Sequence, residues 1–304
     1  MAPADEIVFG TGGLRSPGVF EEAWRAGYRV FDTAVYYAND GELAAALDAC
    51  GAGEQARLVH KVQPHRVSEQ FERLIRPRLG GRRLDTLLLH HPALFVLRAR
   101  PDALMKPWGE LERLVGRGLV RRIGLSNASP AFFEHLLAHA SVKPAVSQLE
   151  AHPGRYDAAA VGSWRQRGIE VQAYSPLGSG RVPVLQTPEV QQIARQTGRS
   201  PAQVCLRWSM QKGMVPIVRA TRPEHMRDNR EALTFSLDEA QVHEIDRVAA
   251  TGRAWDDAIK QGGLAATIKS ARIVVPNRAR FAIRSALHYA AVALFLRRGP
   301  GPLD

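Results

Sequence analysis

The chain has 304 residues and a formal net charge of +11. A chain of this length can bury a substantial core and is compatible with one large domain, since α/β barrels commonly run near ~250 residues. The basic balance favours anionic partners, but no basic run is interleaved with base-stacking aromatic residues, so nucleic-acid binding is not predicted.

Short apolar runs alternate with segments of helical periodicity, which is typical of βα units and a parallel sheet. Strands are predicted at 7–10, 30–33, 58–62, 86–90, 122–126, 145–149, 170–174 and 214–218. Helices are predicted at 19–26, 42–49, 68–79, 107–116, 130–139, 156–166 and 188–208, the last broken at Gly198. Eight strands followed by helices favour a closed (β/α)8 TIM barrel over an open doubly wound sheet.

The glycine-rich turn after the first strand argues against a Rossmann domain. It begins at Gly10 like the dinucleotide fingerprint G-x-G-x-x-G but has Arg15 at the last position. We therefore predict one barrel domain over residues 1–250 and an extended C-terminal tail over residues 251–304. The tail is basic and partly apolar. We expect it to shape the substrate pocket or a partner surface, with a flexible tail or a helix outside the barrel as the alternative.

Three of the predicted strands deliver ionisable side chains at their ends. Asp32 lies near the end of the second strand with Tyr37 five positions later, Lys61 lies near the end of the third, and His90 ends the fourth. A buried carboxylate is costly unless something pairs with it. Because barrel enzymes place their sites at the carboxyl ends of the strands, we expect these four residues to form one proton-transfer site.

Several separated blocks carry a resemblance to a known family. They are 9–12, 31–34 with Tyr37, Lys61, His90 before Pro92, 123–127, 148–153, 173–178 and 227–229. In this order the blocks resemble the aldo-keto reductase superfamily, from about Phe9 to Asn229. The resemblance implies an NAD(P)H-dependent enzyme that reduces an aldehyde or ketone, with a small-molecule carbonyl substrate.

The resemblance gives each of the four residues a role. Tyr37 is the general acid, Lys61 lowers the pKa of that phenol, Asp32 holds Lys61, and His90 orients the carbonyl oxygen. The spacing from Asp32 selects Tyr37 over its neighbour Tyr36.

The doublet of His90 and His91 suggests a metal site at first sight. Adjacent strand residues point to opposite faces, so the two cannot chelate one ion together, and we predict no metal. The family usually has Trp where His91 stands, next to the substrate. We therefore predict that His91 contacts the substrate and that this substrate is more polar or larger than usual.

The resemblance also assigns a cofactor site. Ser126, Asn127 and Gln148 hold the nicotinamide carboxamide, and Tyr174 stacks on the ring. Ser175, Leu177, Gly178 and Ser179 resemble the loop over the pyrophosphate, and Asp228 and Asn229 meet the adenine. Gly10, Thr11 and Thr221 complete the predicted set.

The position of the 2′-phosphate departs from the family. Its Lys-Ser pair falls on Arg219 and Ala220, and its following Arg falls on His225. Arg219 can pair a phosphate through two hydrogen bonds and Arg222 is nearby, whereas a neutral His225 weakens the clamp. We predict NADPH as the cofactor, with NADH as the alternative.

Localisation is predicted from features that the sequence lacks. Cys50 and Cys205 are the only cysteines and suit a reducing cytoplasm. No basic region followed by an apolar core begins the chain, and the apolar stretch at 286–296 is too short for a membrane span. We predict a cytoplasmic protein and assign no oligomeric state.

Two other functions stay open at this point. The same fold and cofactor could serve a dehydration or cyclisation in a specialised pathway. A nucleotide-sensing binding protein is the second alternative, although a pure binder has no need for Lys61 beside Tyr37.

Overall fold

Eight parallel strands close into a barrel in the computed structural model, which describes residues 6–90, 101–128, 130–180 and 182–251. β1 pairs with both β2 and β8, which closes the sheet and confirms the predicted (β/α)8 barrel. The predicted tail lies outside the described residues beyond Thr251 and stays a prediction. The strands are β1 (Val8–Gly10), β2 (Val30–Asp32), β3 (Arg57–Val62), β4 (Leu84–Leu89), β5 (Val120–Ser126), β6 (Val146–Glu150), β7 (Glu170–Tyr174) and β8 (Met214–Val218).

Helices follow the strands along the chain. They are α1 (Pro17–Arg25), α2 (Asp40–Ala49), α3 (Val67–Gln70, continued by a π-helical turn at Phe71–Ile75 and by Arg76–Arg78), α4 (Met105–Gly116), α5 (Pro130–His139), α6 (Ala158–Gln166), α7 (Pro188–Thr197), α8 (Pro201–Gln211), α9 (Pro223–Arg230) and α10 (Glu239–Thr251). Short 3₁₀ turns lie at Val35–Tyr37, Gly53–Gln55, Pro101–Leu104, Gly178–Gly180, Val184–Gln186 and Glu231–Leu233. None of the described helices is long and apolar enough to cross a bilayer.

The predicted break at Gly198 is confirmed, and its chemistry is local. Gly198 takes a left-handed conformation with φ of +64° and ends α7. Ser200 then begins α8 with a capping box. Its side chain accepts from the backbone N–H of Gln203, and the Gln203 side chain accepts from the backbone N–H of Ser200. The sequence analysis did not predict α9 and α10. In α9 the only buried apolar residue is Met226, so the helix shows little apolar periodicity.

Strand alternation places four polar side chains two residues beyond an apolar layer in the barrel. Residues two apart on a strand share a face, so a lumen-facing residue is followed two positions later by another. The buried apolar cluster contains Val8, Val30, Val59, Leu88, Val146, Val215 and Ile217. Two positions after four of these residues stand Asp32, Lys61, His90 and Gln148. The apolar layer therefore supports a polar layer at the carboxyl ends of the strands.

Gly124 on β5 lies where two strands approach too closely for a side chain. A Cβ added there would lie 2.2 Å from the Val146 carbonyl oxygen and 2.9 Å from Leu88 Cδ2. Backbone cannot retreat as a flexible side chain can, so Gly124→Ala must displace β6. The glycine of this motif is thus required by packing.

We expect Gly124→Ala to lower the free energy of unfolding by about 1–3 kcal/mol, the range for overpacking a core. Urea denaturation followed by circular dichroism measures this change. Gly116→Ala at the end of α4 is the matched control, because a Cβ there meets nothing within 4 Å. Equal stability of the two variants would show that the barrel accommodates the methyl group and that packing does not require Gly124.

Candidate active site

The four predicted catalytic residues converge at the carboxyl ends of β2, β3 and β4. Asp32 and Lys61 are 4% and 1% exposed, and the Lys61 ammonium donates to Asp32 Oδ1 in a buried ion pair. Lys61 Nζ lies 5.2 Å from the centre of the Tyr37 ring. The rings of Tyr37 and His90 have centroids 6.4 Å apart. The structure thus brings together the donor, the cation, the anion and the imidazole.

Asn39 holds the turn that carries Tyr37. Tyr37 ends the 3₁₀ turn after β2, and Ala38 follows it with φ of +51°. The Asn39 amide nitrogen donates to the carbonyl oxygens of Thr11 and Leu14, both at 2.8 Å. Since these carbonyls belong to the loop after β1, Asn39 ties the Tyr37 turn to its neighbouring loop.

Asp40 continues this support one residue later. Its Oδ1 accepts from Thr33 Oγ1 at 3.1 Å and lies 3.2 Å from His60 Nε2. Asp40 and His60 are 1% and 0% exposed. His60 precedes Lys61 and therefore points to the opposite face of β3. The sequence analysis did not identify Asn39, Asp40 or His60, although two polar residues beside a predicted acid were a usable signal.

The pKa of Tyr37 corrects one expectation. The sequence analysis expected Lys61 to lower it, but the pKa is raised well above its ordinary value. Burial disfavours the phenolate, and the negative charge of Asp32 adds to the effect. The Lys61 ammonium, which is paired directly with Asp32, does not outweigh these two effects. Tyr37 is consequently protonated at neutral pH.

A second phenol contacts His90. The Tyr36 ring stacks on the imidazole with centroids 4.7 Å apart and planes 14° from parallel. The Tyr36 hydroxyl lies 3.2 Å from His90 Nε2, within hydrogen-bond distance. The sequence analysis passed over Tyr36 in favour of Tyr37. The structure gives Tyr36 a place in the site as a direct neighbour of the imidazole.

Asn127 links His90 to the end of β7. Its amide nitrogen donates to the His90 carbonyl at 3.1 Å, and its amide oxygen accepts from the Tyr174 hydroxyl at 2.6 Å. Asn127 has a φ of +61°, in the left-handed region that Asn tolerates better than most residues. It thereby fixes the hydroxyl end of the ring predicted to stack on nicotinamide.

Gln148 and Ser126 lie beside this link at the ends of β6 and β5. Both are buried, with 2% and 1% exposure. The Gln148 amide nitrogen donates to Asp32 Oδ2 at 2.8 Å and to Gln172 Oε1 at 3.0 Å. The predicted carboxamide residue is therefore connected directly to the predicted catalytic carboxylate.

The donor set across β5 to β8 fits a nicotinamide nucleotide. Amide and hydroxyl groups at Ser126, Asn127 and Gln148 are followed by the Tyr174 ring. Ser175 and Ser179 then share a hydroxyl hydrogen bond of 2.7 Å on an exposed loop, and both have positive φ. Cations follow the last strand. This order of amide, aromatic, hydroxyl and cationic groups matches the carboxamide, ring and phosphates of the nucleotide.

Arg219 and Arg222 supply the cations near the end of β8. Arg219 extends to the loop after β1, where it donates to the Gly12 carbonyl at 3.0 Å. Arg222 lies within 2.7 Å of His225 Nε2. Both contacts are exposed, so an anion can reach these side chains.

Four other predicted cofactor residues are buried or bonded to protein groups, namely Thr11, Ala220, Asp228 and Asn229. The Thr11 hydroxyl donates to the Asp32 carbonyl at 3.0 Å, and Ala220 is buried. The Asp228 carboxylate accepts from Ser200 at 3.0 Å and from Gln203 at 2.8 Å, and Asn229 is 4% exposed. These contacts attach α9 to the start of α8. His91, predicted to touch the substrate, lies outside the described residues.

Fold and site together define an α/β-barrel enzyme with a buried ion pair beneath a tyrosine. The model of the Aldo/keto reductase family matches residues 18–250. Aldo-keto reductase family 1 member A1 of Rattus norvegicus is 33% identical over 255 residues, covering 74% of this chain and 78% of the relative. An aldo-keto reductase of Mycolicibacterium vanbaalenii is 34% identical over 229 residues, covering 74% and 80%.

Solved structures give the same result. An aldo-keto reductase enzyme from a Medee basin deep-sea metagenome library has a TM-score of 0.74 and 25% identity, over 80% of this chain and 90% of that chain. An aldo/keto reductase from Brucella melitensis has a TM-score of 0.73 and 27% identity, over 80% and 92%. The chain belongs to the aldo/keto reductase family, a family of carbonyl-reducing oxidoreductases that generally use NAD(P)H.

Proposed function

We propose that the protein reduces an aldehyde or ketone to an alcohol with NADPH as the hydride donor and Tyr37 as the general acid. The observation that carries the proposal is the buried pair of Asp32 and Lys61 beneath Tyr37, with His90 beside it. A buried ion pair is weak evidence for stability alone, because apolar residues of similar volume would often serve as well. Its position at a barrel mouth argues for chemistry.

The proton transfer follows from the charges at the site. When bound, NADPH would supply a hydride to the carbonyl carbon, so that negative charge would develop on the carbonyl oxygen. The Tyr37 hydroxyl transfers its proton to that oxygen, and Lys61 stabilises the resulting phenolate. A raised pKa keeps Tyr37 protonated before the reaction. Transfer remains favourable because an alkoxide is a stronger base than a phenolate.

His90 and Asp32 prepare the site for this step. The imidazole orients the carbonyl oxygen by a hydrogen bond from Nε2, so the substrate must share or replace the present contact between His90 and Tyr36. Asp32 keeps Lys61 charged and fixed below the tyrosine ring. Ser126, Asn127, Gln148 and Tyr174 would hold the nicotinamide, and Arg219 would hold the 2′-phosphate.

A panel of aldehydes and ketones with NADPH tests the function. We expect loss of the reduced-nicotinamide absorbance in equal amounts with formation of the alcohol, identified by mass spectrometry. Conversion of a substrate without consumption of NADPH would contradict reduction and would favour a dehydration or cyclisation. Tight NADPH binding with no turnover of any carbonyl would favour a sensor.

We expect Arg219→Ala to raise the KM for NADPH by about 10- to 100-fold and to leave the KM for NADH nearly unchanged. The range corresponds to losing a hydrogen-bonded charge pair of about 1.5–3 kcal/mol. Steady-state kinetics with both nucleotides measures the split. Arg117→Ala, which removes an exposed ion pair with Glu72, is the matched control.

His225→Arg tests the same proposed 2′-phosphate site by adding a cation to it. An added cation beside Arg222 should sharpen the preference for NADPH. If Arg219→Ala affects both nucleotides equally, the phosphate is bound elsewhere and the assignment of Arg219 is wrong.

A further inference from the structure

Gln172 on β7 is a buried polar side chain whose Cα partner on β6 is Gln148. Its Cα partner on β8 is Val215, which belongs to the apolar cluster. Gln172 is 1% exposed. An amide in such a place is costly unless its donors and acceptors are satisfied. Something must therefore favour Gln over an apolar residue at this position beside the apolar cluster.

The Gln172 amide connects Gln148 to Glu170 at the start of β7. Its Oε1 accepts from Gln148 at 3.0 Å, and its Nε2 donates to Glu170 Oε1 at 2.8 Å. The other oxygen of Glu170 accepts from Arg122 at 2.7 Å. A continuous hydrogen-bonded chain thus runs from Arg122 through Glu170, Gln172 and Gln148 to Asp32.

The direction of this chain is fixed at the Glu170 end. An ionised carboxylate only accepts hydrogen bonds, so Gln172 must turn its NH₂ group toward Glu170. Its oxygen then faces Gln148, which in turn must present its NH₂ group to both Gln172 and Asp32. Both hydrogens of Gln148 are therefore directed toward the barrel interior, and its Oε1 remains for a donor such as the nicotinamide carboxamide.

We propose that Gln172 is a positioning residue for hydride transfer, which fixes the orientation of Gln148 so that Gln148 holds both the Asp32 carboxylate and the nicotinamide carboxamide. The proposal builds on the reductase function proposed above. Gln172 lies beside Gln148 in the strand register and acts through it. A polar side chain is favoured at position 172 because it connects the Asp32 carboxylate, through Gln148, to the ion pair of Glu170 and Arg122 at the start of β7.

Gln172→Met tests the proposal, because Met has a similar length and removes both the acceptor and the donor. We expect the Kd for NADPH to rise and kcat to fall, each by about 3- to 10-fold, the range for one neutral hydrogen bond. NADPH affinity is measured by fluorescence without substrate, so this result does not depend on turnover. Val215→Ala, at the Cα partner of Gln172 on β8, is the matched control. It should lower the melting temperature while leaving Kd and kcat unchanged.

Gln172→Glu provides a readout that a purely structural role would not move. The new carboxyl group keeps the acceptor for Gln148 but faces Glu170, so the two must share a proton to avoid like-charge repulsion. Arg122 and Glu6 lie near Glu170, and Asp32 is connected to this position through Gln148. We expect near wild-type kcat at low pH and a loss as rising pH removes the shared proton.

The outcomes separate this proposal from the reductase function. If the wild type reduces carbonyls and Gln172→Met keeps its kcat, pH profile and NADPH affinity, the positioning role is wrong and the function stands. If the wild type reduces no carbonyl, the reductase function is wrong, and unchanged NADPH affinity in Gln172→Met then overturns the positioning role separately. A lowered melting temperature alone would show that Gln172 serves only the fold.

Discussion

Tyr37→Phe is expected to lower reductase turnover by about 10²–10⁴-fold, the range for losing a general acid, and to keep NADPH affinity within a few fold. The substitution removes the hydroxyl and leaves the ring near Lys61, so the ion pair below it is preserved. Steady-state kinetics measures turnover, and stopped-flow fluorescence measures NADPH binding.

Tyr36→Phe is the matched control for this prediction. It removes a hydroxyl that lies 3.2 Å from His90 Nε2 and keeps the stacked ring. We expect a smaller loss of turnover, since Tyr36 contacts the imidazole and not Lys61. A large loss in Tyr36→Phe with full turnover in Tyr37→Phe would assign the proton transfer to Tyr36.

The raised pKa of Tyr37 predicts how turnover depends on pH. A phenol whose pKa is raised stays protonated as the pH increases through neutrality. Turnover should therefore show no loss from deprotonation of Tyr37 in the neutral and mildly alkaline range. An alkaline limb in that range which disappears in Tyr37→Phe would show that Lys61 outweighs burial and lowers the net pKa of Tyr37, as the sequence alone suggested.

The sequence predicted the barrel and the convergence of its site residues because both depend on local patterns. Alternating short runs identify strands, and the ends of parallel strands in a barrel lie at one mouth. Asp32, Lys61 and His90 each stand two positions beyond a residue of the apolar cluster, so periodicity alone brings them to one layer. Tyr37 came from a spacing within one loop.

Contacts between distant strands could not be predicted in the same way. Gln148 binds Asp32 across 116 positions and Gln172 across 24, and no local pattern records such pairs. Gln172 reads as an ordinary strand residue until the barrel places it between Gln148 and the apolar cluster. The support of Asp40 by His60 is similar, since the two residues lie 20 positions apart and on different elements.

The pKa of Tyr37 shows a second limit of reasoning from residue types. Lys61 and Asp32 were both identified, and their pairing was expected. The net shift in the pKa of Tyr37 depends on its burial and on how far the charges of Lys61 and Asp32 cancel at the phenol. Both are properties of the packed site. Composition supplies the charges, whereas only their distances determine which of them acts on the tyrosine.

Lys61→Met is expected to lower the free energy of unfolding by about 3–5 kcal/mol, because it leaves the buried Asp32 carboxylate without its cation. Turnover should also fall, since no positive charge remains to stabilise the Tyr37 phenolate. Adding Asp32→Asn to this variant removes the unpaired charge and keeps a partner for Gln148. We expect the double variant to regain most of the lost stability and none of the lost turnover. Urea denaturation and steady-state kinetics on the single and double variants form a double-mutant cycle.

A double variant that stays as unstable as Lys61→Met would mean that packing of the Lys61 stem, and not charge, accounts for the loss. Recovery of turnover in the double variant would mean that Lys61 serves the fold alone, and the proposed stabilisation of the phenolate would be wrong.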